Sequence, residues 1–200
     1  MPNKPLILAS ASAARCSMLE KTGISFKAMP ADIDEQAIID TLTSQARDIP
    51  LITEQLAQAK ARYISKEHPN ALVIGSDQTL EFEGKLISKA ETPEQGIEKL
   101  KLLRGKTHRL FSSVCVVEDG NTIFFHTESA RLTMHNFDDA YLNTYAEKDA
   151  DALTSCVGGY KIEGSGAWLF DTVGGNHYTI MGMPLLPLLA FLRKTCKFLP

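Results

Sequence analysis

Three stretches of this 200-residue chain carry side chains suited to an anionic substrate handled with a metal ion. An apolar run, Ala71-Leu72-Val73-Ile74-Gly75, leads directly into Ser76-Asp77-Gln78-Thr79, so a carboxylate is delivered where a buried strand is expected to end. Leu6-Ile7-Leu8-Ala9 runs into Ser10-Ala11-Ser12-Ala13-Ala14-Arg15, and Ile87-Ser88-Lys89 lies just downstream of Asp77. Desolvation raises the pKa of a buried carboxylate, so Asp77 needs a cation or N–H donors. A divalent metal would meet that need, with Glu35 of the acidic turn Ala31-Asp32-Ile33-Asp34-Glu35 as a second oxygen ligand, because Mg²⁺ takes one or two carboxylates plus substrate phosphates. The alternative reading has Asp77 capping a turn and Glu35 facing water.

The segment after the first strand supplies the hydroxyls of Ser10 and Ser12, free N–H groups at a helix start, and Arg15 about one turn later. A helix N-terminus is partially positive and binds phosphate oxygens without a glycine-rich consensus, and an arginine adds a bidentate anion clamp. The same residues also read as an ordinary N-cap with a surface arginine. Lys60, in Gln58-Ala59-Lys60-Ala61-Arg62, and Lys89 can neutralise phosphate charge, although most helix lysines are simply solvated. The five histidines show no metal-ligand spacing and adjoin no nucleophile, so they read as surface or packed residues. Gly158-Gly159-Tyr160-Lys161-Ile162-Glu163-Gly164-Ser165-Gly166 is neither a P-loop nor a dinucleotide fingerprint. It reads either as a base-recognition loop or as a turn-rich connector. In the first case Glu163 would accept from the N1 and exocyclic amino groups of guanine, whereas a thymine or uracil edge offers it one donor.

The elements expected to position these groups begin with a strand at Pro5–Ala9 and a helix with Met18 and Leu19 on its apolar face, ending near Gly23. A second strand is expected over Ile24–Met29, then a long helix at about Leu51–Glu67 with Leu56, Ala59 and Tyr63 on one face. The strand at Ala71–Ser76 continues past Asp77 into a hairpin turning at Glu83-Gly84-Lys85. Thr92-Pro93-Glu94-Gln95 opens a helix that Gly105 closes. Strands over His108–Glu118 and Thr122–Met134 meet at Asp119-Gly120-Asn121. A short helix at Asp138–Ala146, a strand at Ala167–Val173 and a final helix from Pro184 to about Lys194 complete the reading. Early alternation of strands and helices followed by paired strands favours a mixed α/β sheet over a purely parallel one.

Two hundred residues with 44% hydrophobic content can bury one substantial core, so a single domain over residues 1–200 is expected. A net charge of −3, with no run of more than two Lys/Arg, argues against nucleic acid or an anionic membrane as partner. Cys16, Cys115, Cys156 and Cys196 are scattered without zinc or disulfide spacing, which reads as reduced thiols. No run approaches the ~18 apolar residues of a membrane helix, and Met1-Pro2-Asn3-Lys4-Pro5 precedes only a short strand, so the expected location is the cytoplasm.

The ordered motifs resemble the Maf family of nucleotide pyrophosphatases, also called septum formation inhibitor proteins, over nearly the whole chain. Leu8-Ala9-Ser10-Ala11-Ser12 with Arg15, Asp34-Glu35, Ala57–Ala61 with Lys60, Gly75-Ser76-Asp77, Gly105-Lys106-Thr107-His108, Gly159-Tyr160 and Gly182-Met183-Pro184-Leu185 fall in the family's order. The resemblance implies an elongated, bilobal α/β fold of Maf/ITPase-like type, with a mixed sheet flanked by helices and a cleft. It implies Mg²⁺ or Mn²⁺ dependence, hydrolysis of nucleoside triphosphates to a monophosphate plus pyrophosphate, and homodimers. The family's catalytic aspartate maps onto Asp77, and its phosphate and metal positions onto Ser10, Arg15, Glu35, Lys60 and Lys89, with Ser12 in the same serine-rich segment.

The chain departs from the family at Ser12-Ala13-Ala14-Arg15, where Ser-Pro and a large residue usually precede the arginine, and at Ala90, where proline usually follows the lysine. Gln78 and Glu163 resemble the branch that prefers 7-methyl-GTP, while Ala14 matches neither that branch nor the pyrimidine-preferring one. The resemblance also carries a link to housecleaning of aberrant nucleotides and to division arrest. A rival class is a non-catalytic protein that senses nucleotides or contacts a division partner. A carboxylate beside a triphosphate disfavours it, and pyrophosphate release separates the two. A dinucleotide-dependent oxidoreductase is disfavoured because Gly-x-Gly-x-x-Gly is missing after the first strand.

Overall fold

The computed structural model describes residues 4–196, so Met1–Asn3 ahead of the first strand and the side chain of Cys196 lie outside the described residues. The chain is an α/β protein with helices flanking one mixed, seven-stranded sheet of order β2-β1-β3-β5-β6-β7, to which β4 is added beside β3. β1 (Leu6–Leu8) lies parallel between β2 (Lys27–Ala28) and β3 (Leu72–Phe82). These parallel pairings need crossovers. α1 (Ala13–Glu20) supplies the first, and α2 (Glu35–Ser44) with α3 (Ile49–Glu67) lies between β2 and β3. β4 (Lys85–Ile87) folds back antiparallel on β3. β5 (Thr107–Glu118) and β6 (Asn121–Met134) are joined by a two-residue turn, and β7 (Phe170–Gly174) pairs antiparallel with β6.

The chain divides into two compact units, one of Met1–Gln78, Ser112–Glu128 and Gly182–Pro200, the other of Thr79–Phe111 and Ser129–Met181. In the first unit α3 packs Ala57, Ala61 and Ile64 against Val73, Cys115 and Val117. A Cβ on Gly75 would stand 2.1 Å from the carbonyl oxygen of Ala57 and 2.8 Å from Ala61 Cβ, so only glycine lets the helix lie this close to the strand. The buried stripe of α3 is therefore Ile52, Leu56, Ala57, Ala61 and Ile64, while Tyr63 is exposed. This corrects the expected Leu56–Ala59–Tyr63 face: a close helix–strand approach selects the alanine-lined side over the tyrosine side.

In the second unit, α4 (Pro93–Leu103), α5 (Asp139–Lys148) and α6 (Ala150–Ser155) cover a core built on Leu80, Phe82, Leu100, Leu110, Leu132 and Leu153. The Thr92 hydroxyl caps α4 by accepting from the Gln95 N–H at 3.3 Å, and Asp138 caps α5 by accepting from Tyr141 at 2.8 Å. A 3-10 turn at Ser165–Leu169 takes the first residues of the expected last strand, which starts at Phe170. α6 and α7 (His177–Ile180) fall in stretches with no assigned element, and α8 (Leu185–Phe191) ends in a π turn over Leu192–Cys196. Among the described residues no helix is long and apolar enough to cross a membrane.

His108 in this second core is buried, bonded through Nε2 to the Tyr160 hydroxyl at 2.6 Å, with no partner on Nδ1. Burial pulls its pKa down to about 4. Between that value and the ordinary ~6.5 of an unfolded histidine the unfolded chain binds the extra proton. The stability this neutral ring contributes is whole above pH ~6.5 and falls away as pH drops toward 4, by at most about 3 kcal/mol. Urea unfolding at pH 7 and pH 5 checks this, and His108→Gln is expected to flatten that part of the pH dependence.

Candidate active site

β3 does not end at Asp77, as the sequence suggested, but runs on to Phe82. Its pairing with β1 reaches only to Ile74 and its pairing with β4 starts at Leu80, so Asp77 lies in the interval between the two registers. An extended strand places successive side chains on opposite faces. Asp77 accordingly shares a face with Gly75, the side on which α3 lies.

The close approach at Gly75 delivers Lys60. Its ammonium donates to Asp77 Oδ1 at 2.6 Å and pairs with Glu35 Oε1 at 2.9 Å. The Lys60 and Asp77 side chains are 12% and 8% exposed, whereas that of Glu35 is 47% exposed. Glu35 is the first residue of α2, fixed there because Asp34 caps the helix by accepting from the Ala37 N–H at 2.9 Å. The expected acidic turn thus leads into a helix with no fully buried residue.

Arg15 approaches the same carboxylates. Burial lowers its pKa from the usual arginine value, and the charges of Asp77 and Glu35 oppose that shift. Its Nε donates to the Gly182 carbonyl at 2.9 Å and its Nη1 to Ser10 Oγ at 3.4 Å. Ser10 Oγ also accepts from the Ser12 N–H at 3.2 Å, and Ser12 Oγ caps α1 by accepting from the Arg15 N–H at 3.4 Å. The two serines therefore shape the start of α1 and orient Arg15, and half-buried Ala14 precedes the arginine on the helix.

Burial raises the pKa of Asp77 above the ordinary carboxylate value, against the pull of Lys60 and Arg15. Such a carboxylate is a better proton acceptor near neutrality than an exposed one. Gln78 is half-buried and its Nε2 donates to Ser112 Oγ at 3.0 Å. Glu35 and Asp77 offer the hard oxygen donors that Mg²⁺ or Mn²⁺ accepts, and their sharing of one ammonium draws them within reach of a single cation. Among the described residues no three His, Cys, Asp or Glu side chains group as a metal cage. Two carboxylates would suit an ion that took its remaining ligands from water and substrate oxygens.

Four of the residues singled out for phosphate and metal chemistry, Arg15, Glu35, Lys60 and Asp77, thus converge within the first unit. Lys89 and Glu163 belong to the second unit, and both are exposed. There Lys99, unmarked in the sequence, is buried and donates to the Val157 carbonyl at 2.9 Å, at the head of the glycine-rich loop. Burial, with Lys89 adding repulsion, brings its pKa down to about 8. Ser76, Ser112 and Gly182 were also not assigned roles from sequence. Adjacency to Asp77 and Gln78 was the available signal for Ser76, whereas Ser112 carries none.

The chain matches the Maf-like protein family over residues 5–195. It is 45% identical over 193 residues to a protein of Nitrobacter hamburgensis named nucleoside triphosphate pyrophosphatase, covering 96% of this chain and 94% of that one. A protein of the same name from Bradyrhizobium diazoefficiens is 45% identical over 191 residues, 95% of this chain and 93% of the relative. The one from Ruegeria pomeroyi is 40% identical over 188 residues, 94% of each. With its carboxylates gathered on Lys60 and its family match spanning nearly every residue, this chain belongs to the Maf family.

Proposed function

We propose that this protein is a nucleoside triphosphate pyrophosphatase that cleaves between the α and β phosphates and releases a nucleoside monophosphate and pyrophosphate. The observation that carries the reading is the buried Asp77 carboxylate held 2.6 Å from Lys60 Nζ, with Arg15 as a second cation bearing on it. The names of the relatives support the same activity.

In this reading Asp77 orients a water molecule and takes its proton as the water oxygen bonds to the α-phosphorus. The bond from that phosphorus to the α–β bridging oxygen breaks, and pyrophosphate carries the electron pair away. Arg15 and Lys60 stabilise charge on the phosphate oxygens, and Lys89 is assigned the same role from the family pattern. Phosphoryl transfer depends mainly on positioning and electrostatics, so no covalent nucleophile is required. A Mg²⁺ or Mn²⁺ ion, which Glu35 and Asp77 would hold, would supply charge neutralisation on the triphosphate when bound.

Gln78, Glu163 and Ala14 are assigned to base choice, and the first two support a preference for 7-methyl-GTP. Pyrophosphate release with Mg²⁺, measured on 7-methyl-GTP, UTP, dTTP and CTP, tests both levels. The expected result is the highest kcat/KM for 7-methyl-GTP, lowered roughly 10- to 100-fold by Glu163→Gln, the size of a lost charge-assisted hydrogen bond. A pyrimidine preference contradicts the base assignment. No release from any triphosphate contradicts the activity and favours binding without turnover.

A further inference from the structure

We infer that Ser76 is a positioning residue that sets the guanidinium of Arg15 through the carbonyl of Gly182. The Ser76 hydroxyl is fully buried and lies 2.8 Å from the Ser113 carbonyl oxygen and 3.0 Å from that of Gly182. The Gly182 carbonyl also accepts from Arg15 Nε at 2.9 Å. One oxygen therefore ties β3 to α1 through a segment more than a hundred residues away from either. A hydroxyl has a single proton, so Ser76 shares it between two carbonyls, with Ser113 the nearer acceptor and Gly182 the longer branch, and the carbonyl at 182 gains its remaining fixation from Arg15.

The positive φ at position 182 explains why it is a glycine, while a Cβ there would make only ordinary contacts. Its φ is +107°, and a Cβ there would stand 3.5 Å from Arg15 Nη2 and 3.7 Å from Gln78 Oε1. The backbone thus passes against both the arginine assigned to phosphate and the glutamine assigned to the base. Nε and Nη1 of Arg15 are fixed by Gly182 and Ser10, which orients the guanidinium fork. Ser76 and Asp77 point to opposite faces of β3, so removing the hydroxyl leaves the Asp77–Lys60 contact in place. An ordinary buried serine would lend the fold stability without acting selectively on Arg15.

The functional consequence rests on the proposed pyrophosphatase activity, while the anchor itself does not. Ser76→Ala, Arg15→Ala and the double variant are compared by pyrophosphate release. Ser76→Ala is expected to raise KM for the triphosphate about 2- to 5-fold, the worth of part of one shared hydrogen bond, with kcat within about twofold. It is expected to have no further effect in the Arg15→Ala background, the signature of residues acting through one another. Equal effects in both backgrounds, or an unchanged KM, overturn the inference.

A readout free of turnover is solvent exchange of the Arg15 Nε–H followed by nitrogen-15 NMR. Exchange is expected to be slow in the wild type and clearly faster in Ser76→Ala, and identical exchange overturns the anchor. Ser76→Cys, similar in size with a weak donor, is expected to fall between the two and decides the matter if Ser76→Ala does not fold. Wild-type protein that releases no pyrophosphate, yet whose Arg15 exchange responds to Ser76, would refute the activity and leave the anchor standing.

Discussion

Replacing Asp77 with asparagine is expected to cut turnover by about two to four powers of ten, the range for loss of a general base. The substitution is nearly isosteric and keeps an oxygen that Lys60, 2.6 Å away, can still donate to, so the fold should survive. What it removes is the capacity to take a proton from water. Near-normal pyrophosphate release by a folded Asp77→Asn protein, its folding checked by circular dichroism, would contradict the role. The raised pKa of Asp77 is itself measurable. Without divalent cation the Asp77 carboxyl should titrate with a midpoint above the ordinary carboxylate range, read by carbon-13 NMR, and a midpoint at or below that range contradicts the effect of burial.

The second large effect is expected from Lys60→Met, which leaves the buried Asp77 without its nearest cation. Breaking a buried pair by deleting one partner destabilises by about 3 kcal/mol or more, because the remaining charge stays desolvated. Arg15 still bears on Asp77 and moderates the loss. The pairing with half-exposed Glu35 adds little, as solvent-facing pairs do. With Lys60 gone the folded-state pKa of Asp77 rises further, so the folded state binds the proton more readily. The destabilisation should be greatest at high pH and shrink as pH falls through that pKa. Urea unfolding at pH 8 and pH 5 measures it, and turnover should fall at least about 100-fold with loss of a positioned cation. Wild-type stability at both pH values would mean that the ammonium is not held between the carboxylates.

Asp77 was legible because a carboxylate following four apolar residues has a desolvation problem that must be solved locally. Its solution was not legible. Lys60 lies in a helix whose lysine looks like any solvated one, and its partner is 17 residues away, reached only because Gly75 lets α3 press against the strand. The same packing decided which face of α3 is buried, since two stripes of similar apolar content compete and sterics at Gly75 choose the alanine side. Capped elements read well: Thr92 and Asp138 announce helix starts in their local sequence. α2 did not, although Asp34 caps it in the same way and Ile38, Ile39 and Leu42 line one partly buried side of it. The Ser76–Gly182 link joins positions brought together only by the fold, and side-chain types alone hold no trace of it.

The most direct measurement is turnover of a nucleoside triphosphate by the wild-type protein with Mg²⁺ in oxygen-18 water, with the label located by mass spectrometry or phosphorus NMR. A water activated by Asp77 and directed at the α-phosphorus places one oxygen-18 in the nucleoside monophosphate and none in the pyrophosphate. Label in the pyrophosphate, release of orthophosphate in its place, or no hydrolysis at all would contradict the account.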